Sequence, residues 1–278
     1  MYTLTALKIY TAICNGIIKS RSSFWRDFSS VDKINDLDLD CSKSEQSIVN
    51  GRFNITCCFD NDFPTIDESI PQNDRPFLFI YKGNLNLLND ISKNIAVVGV
   101  LTPDEDITRR EQNIVTQLVK NDICIVSGLA RGCDSIAHKA CLKNGGKTVA
   151  FLPSTINLIY PAENTSLAES IVENDGLIIT EYATESTNYK ENIARLIERD
   201  RLQAMFANSI VLIASYRKGD GDSGSRHAIL KAKCYDRKRL VMFNKSTDEG
   251  YPLFGLNEDM IKDGTKILTH SSIKELLN

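Results

Sequence analysis

The stretch ICIVSGLARGCDSIAHKACLKNGGKTVAFLP, residues 123–153, decides the fold class. It holds two short apolar runs, ICIVSG (123–128) and KTVAFLP (147–153), on either side of a helical pattern. Runs that are apolar at nearly every position are typical of parallel strands buried on both faces. The stretch therefore predicts one strand-helix-strand unit of a parallel sheet.

The same alternation extends over most of the chain. Five more runs share the pattern: NIAVVG (94–99), LIITEY (177–182), SIVLIAS (209–215), RLVMF (239–243) and TKILT (265–269). Their separation suits crossover helices between parallel strands. The sequence predicts the α/β class, with an extended Rossmann-like, doubly wound and mostly parallel sheet.

The N-terminal fifth of the chain has a different character. The pattern LTALKIYTAICNGIIKS predicts a small helical segment, and DKINDLDLDCSKSEQS after it predicts an acidic linker, so that residues 1–50 precede the main domain. Residues 51–278 are predicted to form that domain, with FNITCCFDNDFP and PFLFIYKGN as strands leading into the sheet.

Composition excludes several classes of protein. The chain has 278 residues, 42% of them hydrophobic and 25% charged, and a net charge of −3, which does not predict general adhesion to nucleic acid. Its eight cysteines form no C-x-x-C pair and its three histidines lie far apart, so we expect no metal site and no cofactor. Without a membrane-length apolar run or a leader, we expect a cytoplasmic protein that has no membrane partner.

Two glycine-rich loops follow predicted strands and open helices. They are SGLARGCDS (127–135) and GDGDSGS (219–225), which we expect at the ends of neighbouring strands. Amide groups at such positions can cradle a phosphate. GDGDSGS looks like a serine-hydrolase motif, but it lacks the G-x-S-x-G spacing, and no lysine follows as in a P-loop. Tight turns without a ligand remain an alternative.

The segment 127–182, which runs from SGLARG to LIITEY, closely resembles the core of the DNA-processing protein A family, also called DprA or Smf. The matching residues are Ser127, Gly128, Ala130, Gly132, Asp134, Ala137, His138, Gly145, Gly146, Tyr160, Pro161, Asn164 and Glu181. The resemblance covers about residues 53–278. It implies a non-enzymatic protein that binds single-stranded DNA, passes it to a RecA recombinase in DNA uptake or recombination, and forms a homodimer.

The chain departs from this family at several places. One is Ser223-Gly224-Ser225-Arg226-His227, where the family has serine-glycine-glycine-serine, usually followed by leucine-isoleucine-threonine. Gly99-Val100-Leu101 stands where the family has glycine-serine-arginine, so one phosphate-binding arginine is missing. Asp200 lies between Arg199 and Arg201, where the family has asparagine. The family's C-terminal winged helix is not expected, which indicates a divergent member.

The candidate site residues come from the two loops and from an arginine pair. The expected DNA or phosphate ligands are Ser127, Gly128, Arg131, Gly132, Asn164, Arg199, Arg201, Ser223, Gly224, Ser225 and Arg226. Arginine is favoured because its forked donors match phosphate oxygens, although Arg199 and Arg201 cannot share one helix face. Asp134 and His138 are expected to hydrogen-bond locally and fix the first loop, with an acid–base role for His138 as the alternative. Tyr160 is a candidate for base stacking or for ordinary packing.

Two other functions compete with DNA binding. A nucleotide sensor or phosphoribohydrolase would place a small nucleotide at the same strand ends, with Glu181 as acid or nucleophile. A scaffold for a partner protein is the third hypothesis, and the altered motifs favour it.

Overall fold

The computed structural model describes residues 2–222, 224–269 and Ile273, and its strands form one sheet. The strands in that part of the chain are β1 (Asn54–Cys57), β2 (Leu78–Gly83), β3 (Asn94–Val98), β4 (Cys124–Ser127), β5 (Thr148–Phe151), β6 (Leu177–Thr180), β7 (Ser209–Leu212), β8 (Lys238–Val241) and β9 (Lys266–Ile267). Each apolar run identified in the sequence coincides with one of the strands β3 to β9, and β8 alone begins one residue before its run.

The sheet order is β1-β2-β6-β5-β4-β3-β7-β8-β9. From β6 to β9 every neighbouring pair is parallel, whereas β2 pairs antiparallel with β6, and β1 pairs antiparallel with β2. The chain starts winding at β3 in the middle and proceeds outward in both directions, as in a doubly wound fold. The predicted fold class is confirmed.

Helices cover both faces of this sheet. They are α1 (Leu4–Cys14), α2 (Arg21–Asp27), α3 (Val31–Asn35), α4 (Ser42–Gly51), α5 (Glu105–Val119), α6 (Cys133–Lys143), α7 (Thr165–Glu173), α8 (Tyr189–Met205), α9 (Arg226–Cys234), α10 (Lys245–Asp248) and α11 (Gly255–Lys262). Alternate residues of β3 show the two layers, since Ile95 packs in one cluster with α5 and α6, and Ala96 in another with α8 and α9. Among the described residues, no helix is long and apolar enough to span a bilayer.

The N-terminal helices share a core with the sheet. Side chains of α1, α2 and α7 pack in one apolar cluster with β1, β2, β5 and β6. Phe24 of α2 is fully buried and stacks on Phe77 just before β2, with ring centroids 3.9 Å apart. The stretch expected as a linker holds α3 and α4, because Ser30 caps one helix and Ile34 and Ile48 anchor both in this core. The division of the chain into two domains at residue 50 stays a prediction.

Phe24→Ala tests whether the N-terminal helices fold together with the sheet. Removing a buried aromatic ring costs about 3–5 kcal/mol, so we expect the free energy of unfolding of the whole chain to fall by that amount. Denaturant titration followed by circular dichroism measures it, with exposed Leu4→Ala as the control. Two separate unfolding transitions, with Phe24→Ala shifting only the first, would show that residues 1–50 are an independent unit.

Candidate functional site

The carboxyl ends of the parallel strands form one edge of the sheet, and both glycine-rich loops lie there. They are not at neighbouring strands, because β3 lies between β4 and β7. The loop after β3 bridges them. The Cys133 amide donates to the Val100 carbonyl at 3.1 Å, and the Leu101 amide donates to the Asp222 carboxylate at 2.7 Å. The three loops therefore form one continuous surface.

Asp134 and Asn164 hold the first glycine loop from two sides. Asp134 Oδ2 accepts hydrogen bonds from the amides of Gly128 at 3.1 Å and Ala130 at 3.3 Å. Asn164 Nδ2 donates to the carbonyl of Leu129 at 2.8 Å. The expected role of Asp134 in shaping the loop matches this geometry. The two amides that Asp134 binds are not free for a phosphate, which differs from the sequence-based expectation.

The other predicted residues of this loop also make internal contacts. Ser127 is buried, and its hydroxyl donates to the Val97 carbonyl at 2.7 Å. Gly132 has a φ of +67°, and a Cβ there would overlap the carbonyl oxygens of Val100 and Leu101. These glycine and serine positions serve the close approach of the loops after β3 and β4.

Arg199 projects from α8 onto the first glycine loop. Its guanidinium lies so close to Gly128 that a Cβ at that position would overlap Nη1. The side chain is 4% exposed, with Nη1 3.8 Å from Asp134 Oδ2 and Nε 3.4 Å from Asp200 Oδ1. Nη1 also donates to the Phe151 carbonyl at 3.3 Å. Arg199 is thus a buried cation between two carboxylates, and a phosphate contact would have to compete with both.

Burial shifts the pKa values of Asp134 and Asp200, which form a buried charge cluster with Arg199. Desolvation raises the pKa of Asp200 to about 7, although Arg199 opposes the shift. Burial likewise raises the pKa of Asp134, against Arg199 and the loop amides. Asp200 is therefore close to its titration point near neutral pH, and the departure from the family's asparagine makes the cluster pH-sensitive.

His138 does not take part in fixing the loop, contrary to our expectation. Its Nδ1 pairs with Thr148 Oγ1 on β5 at 2.7 Å, and Nε2 has no hydrogen-bond partner in the described part of the chain. The ring is fully buried, and desolvation, with a contribution from Arg199, lowers its pKa to about 3. A neutral, enclosed imidazole at pH 7 does not support the alternative acid–base role.

Arg201 and Glu181 neutralise each other. Nη2 of Arg201 lies 2.6 Å and 2.7 Å from the two carboxylate oxygens, and Nε donates to the Asp74 carbonyl at 2.8 Å. Arg201 is 1% exposed, so the expected phosphate contact is not open to it. Glu181 is committed to this ion pair, which gives no support to its role as acid or nucleophile in a nucleotide hydrolase.

The second glycine loop also carries its own carboxylate. Asp222 Oδ1 accepts from the Gly224 amide at 3.2 Å, while Oδ2 accepts from Leu101. Ser225 Oγ lies 3.0 Å from Ser215 Oγ. Arg226, half-buried at the start of α9, has no ion-pair partner among the described residues. Ser223, a predicted ligand, lies outside the described residues.

A cavity of about 470 Å³ opens beside the first glycine loop. Gly128, Arg131, Tyr160 and Arg199 line it, so the structure brings four of the predicted residues together. Arg131 is at the rim, where it makes a bidentate ion pair with Glu163 at 2.8 Å and 3.0 Å. Tyr160 is 48% exposed, which leaves it open to a ligand.

Sequence reasoning missed Ser154, Leu158 and Leu196 of the cavity lining. The segment after β5 carried a signal, since PSTINLIYP joins a strand end to a helix at the edge where ligands bind. Leu196 has no such signal, because only the packing of α8 across the sheet brings it there. No cluster of three or more His, Cys, Asp or Glu side chains able to hold a metal occurs in the ranges described.

Asp200→Asn tests the buried charge cluster. Because the folded pKa of Asp200 exceeds the ordinary aspartate value near 4, the folded chain keeps a proton that the unfolded chain has lost between about pH 4 and 7. The stabilisation that comes from this raised pKa is therefore complete below pH 4 and is lost as the pH rises to about 7. We expect the variant to be more stable at pH 8 by about 1–3 kcal/mol.

Thermal or denaturant unfolding at pH 5 and pH 8 measures this effect, with exposed Asp38→Asn as the matched control. The gain from Asp200→Asn should be smaller at pH 5, where the aspartate is protonated. Equal destabilisation at both pH values would mean that Asp200 acts as a necessary counter-ion of Arg199.

Comparisons with known proteins agree with this architecture. The sequence pattern of the family described as DNA recombination-mediator protein A matches residues 54–278. DNA processing protein DprA of Streptococcus pneumoniae is 37% identical over 218 residues, which cover 77% of this chain and 68% of that one. Protein Smf of Synechocystis is 33% identical over 156 residues, 55% of this chain and 38% of its own length, so the chain matches well under two thirds of that relative.

Solved structures give the same fold. The Streptococcus pneumoniae DprA structure superposes with a TM-score of 0.71 at 23% identity, covering 97% of this chain and 92% of that one. DprA from Helicobacter pylori, whose structure is described as showing a unique single-stranded DNA binding mode, has a TM-score of 0.65 at 24% identity and covers 82% of this chain and 97% of that one. The chain belongs to the DNA recombination-mediator protein A family.

Proposed function

We propose that the chain binds single-stranded DNA along the edge formed by the loops after β3, β4 and β7. Family membership supports this, as does the single-stranded DNA binding of the Helicobacter pylori protein named above. The observation that most supports DNA binding at this edge is structural. These loops form one surface, with a 470 Å³ cavity at one end and Arg226 without an ion-pair partner among the described residues at the other.

Arg226 is the phosphate contact that the geometry favours. Of the four candidate arginines, Arg199 and Arg201 are buried on carboxylates, and Arg131 is paired with Glu163. Arg226 Nε is buried and has no hydrogen-bond partner within the described ranges. A guanidinium that has no carboxylate partner binds phosphate at a smaller cost in free energy than one that must first break an ion pair. Ser225 beside it, and Arg131 after exchanging Glu163 for phosphate, complete the proposed backbone contacts.

The remaining steps of the function are proposals of the same kind. By its family, the chain would act in the cytoplasm as a homodimer and hand its strand to a RecA recombinase. Because the glycine loop amides are occupied by Asp134, the backbone would be held mainly by side chains, so binding should depend on only a few charges. Weak binding with a shallow dependence on salt, which leaves the strand available for transfer, follows from that arrangement.

Arg226→Gln tests the proposed phosphate contact. For a single strand, log K falls with log salt by about 0.7 for each phosphate neutralised. We expect the variant to bind a short oligodeoxythymidylate more weakly, with a salt slope smaller by about 0.7. Fluorescence anisotropy over a range of salt concentrations measures both quantities.

The matched control is Lys238→Gln, which removes the same charge from the exposed start of β8 at the opposite edge of the sheet. It should leave the salt slope unchanged. Absence of binding to any single strand at low salt would contradict the proposed function. Equal effects of Arg226→Gln and Lys238→Gln would mean that the strand is held by overall charge and not at this edge.

A further inference from the structure

Two buried carboxyl groups share one buried guanidinium beside the first glycine loop. The side chains of Asp134, Arg199 and Asp200 are 10%, 4% and 12% exposed, and Arg199 lies between the two acids at 3.8 Å and 3.4 Å. If both acids are ionised, the cluster holds an uncompensated negative charge away from water. Two carboxylates in one poorly hydrated site do not ionise together easily, so we expect one of them to bind a proton near neutral pH.

Hydrogen bonds determine which acid binds that proton. Asp134 Oδ2 accepts from the amides of Gly128 and Ala130, and each such bond favours the ionised form. Asp200 Oδ1 accepts from Gln203 Nε2 at 3.1 Å, and no other hydrogen bond to its carboxyl group occurs in the described ranges. The proton therefore belongs on Asp200, in agreement with burial raising its pKa to about 7.

The other ionisable groups around the cluster come from α5, α6, α8 and the end of β6. His138 is buried, and desolvation lowers its pKa to about 3, so the ring is neutral. Burial raises the pKa values of Glu111 and Cys133 well above their usual ranges, which favours their neutral forms. Arg201 is committed to Glu181. Of these groups, the acid beside Arg199 on α8 is the one whose charge changes near pH 7.

The cluster lies at the edge that we propose binds DNA. Arg199 lines the 470 Å³ cavity, and its guanidinium lies against Gly128 of the loop after β4. A charge on Asp200 lies one side chain behind that edge, and because it is buried, water and salt screen it poorly. Ionised Asp200 repels the phosphates of a bound strand, whereas its neutral form does not. DNA binding and protonation then favour each other, because coupling between two binding events is reciprocal.

We propose that single-stranded DNA binding at this edge is coupled to the uptake of a proton by Asp200, so that the chain holds DNA more tightly as the pH falls through neutrality. The inference rests on the proposed function and adds a regulation to it. Asp200 acts through the charge that it places beside Arg199, without contacting the strand. The protein thereby responds to acidification with a gain in affinity that a neutral residue at position 200 would not produce.

The pH dependence of affinity tests this coupling. Fluorescence anisotropy gives the dissociation constant of a short oligodeoxythymidylate between pH 6 and pH 8 at fixed salt, a range in which the strand itself does not titrate. The constant should rise by about 3- to 10-fold, as for a unit charge roughly 10 Å from a phosphate in a partly hydrated site. Asp200→Asn keeps the shape of the side chain without the charge. Its dissociation constant should not change with pH and should be close to that of the unchanged protein at pH 6.

Gln203→Met is a second variant that keeps the titrating acid. Gln203 is 1% exposed, and its hydrogen bond to Asp200 favours the ionised carboxylate. Removing this bond should move the midpoint of the pH dependence to higher pH without abolishing it. Calorimetry at pH 7 in two buffers of different ionisation enthalpy counts the protons directly. Binding should take up a fraction of a proton in the unchanged protein and none in Asp200→Asn.

His227→Gln is the control for another titrating group near the strand. His227 follows Arg226, the proposed phosphate contact, at the start of α9. Burial, with a contribution from Arg226, lowers its pKa, so the ring is neutral over most of the range tested. This variant should retain the full pH dependence of the unchanged protein.

The outcomes separate this inference from the proposed function. A dissociation constant that does not change between pH 6 and pH 8 overturns the coupling and leaves single-stranded DNA binding standing. A pH dependence that persists unchanged in Asp200→Asn, or disappears in His227→Gln, also overturns the coupling, since another group would then titrate. Failure to bind the strand at any of these pH values overturns the proposed function together with the inference.

Discussion

The guanidinium of Arg199 lies against Gly128, and much of the binding edge depends on this contact. It requires glycine at position 128, because any Cβ would overlap the guanidinium. The buried cation lies beside two carboxyl groups, those of Asp134 and Asp200. The Asp134 carboxylate also accepts hydrogen bonds from the amides of Gly128 and Ala130. The buried side chain of Arg199 therefore restricts the shape of the loop after β4, which precedes it by about seventy residues. Through Asp134, it is also linked to the hydrogen bonds that the amides of this loop donate.

This arrangement changes how the edge can hold a nucleic acid. A glycine loop with free amides would bind phosphate through the backbone, as at the helix N-termini of many nucleotide sites. Here Asp134 occupies the amides of Gly128 and Ala130, and Asp222 that of Gly224, so we expect side chains to contribute more to anion binding. The two features left open are a largely apolar cavity beside β4 and Arg226 beside β7, two strand spacings or about 10 Å apart along the edge.

The sequence predicted the architecture well, for a clear physical reason. Strands buried on both faces are apolar at nearly every position, which marks β3 to β7 without knowledge of the tertiary structure. The motif in 127–182 indicated the family, which the comparisons confirm. The site was harder to predict. Other elements of the fold provide Asp134 for Arg199, Glu181 for Arg201 and Thr148 for His138. The sequence therefore showed these side chains but not their partners.

The central claim is that Asp134 already occupies the amides of the first glycine loop, so the strand is not bound through them. Amide hydrogen exchange at Gly128 and Ala130, measured by NMR with and without a bound oligonucleotide, tests it directly. We predict that both amides exchange slowly in the free protein and that the bound strand leaves their rates unchanged. Fast exchange in the free protein that becomes slow on binding would contradict the account, because the phosphate would then accept the hydrogen bonds that the structure assigns to Asp134.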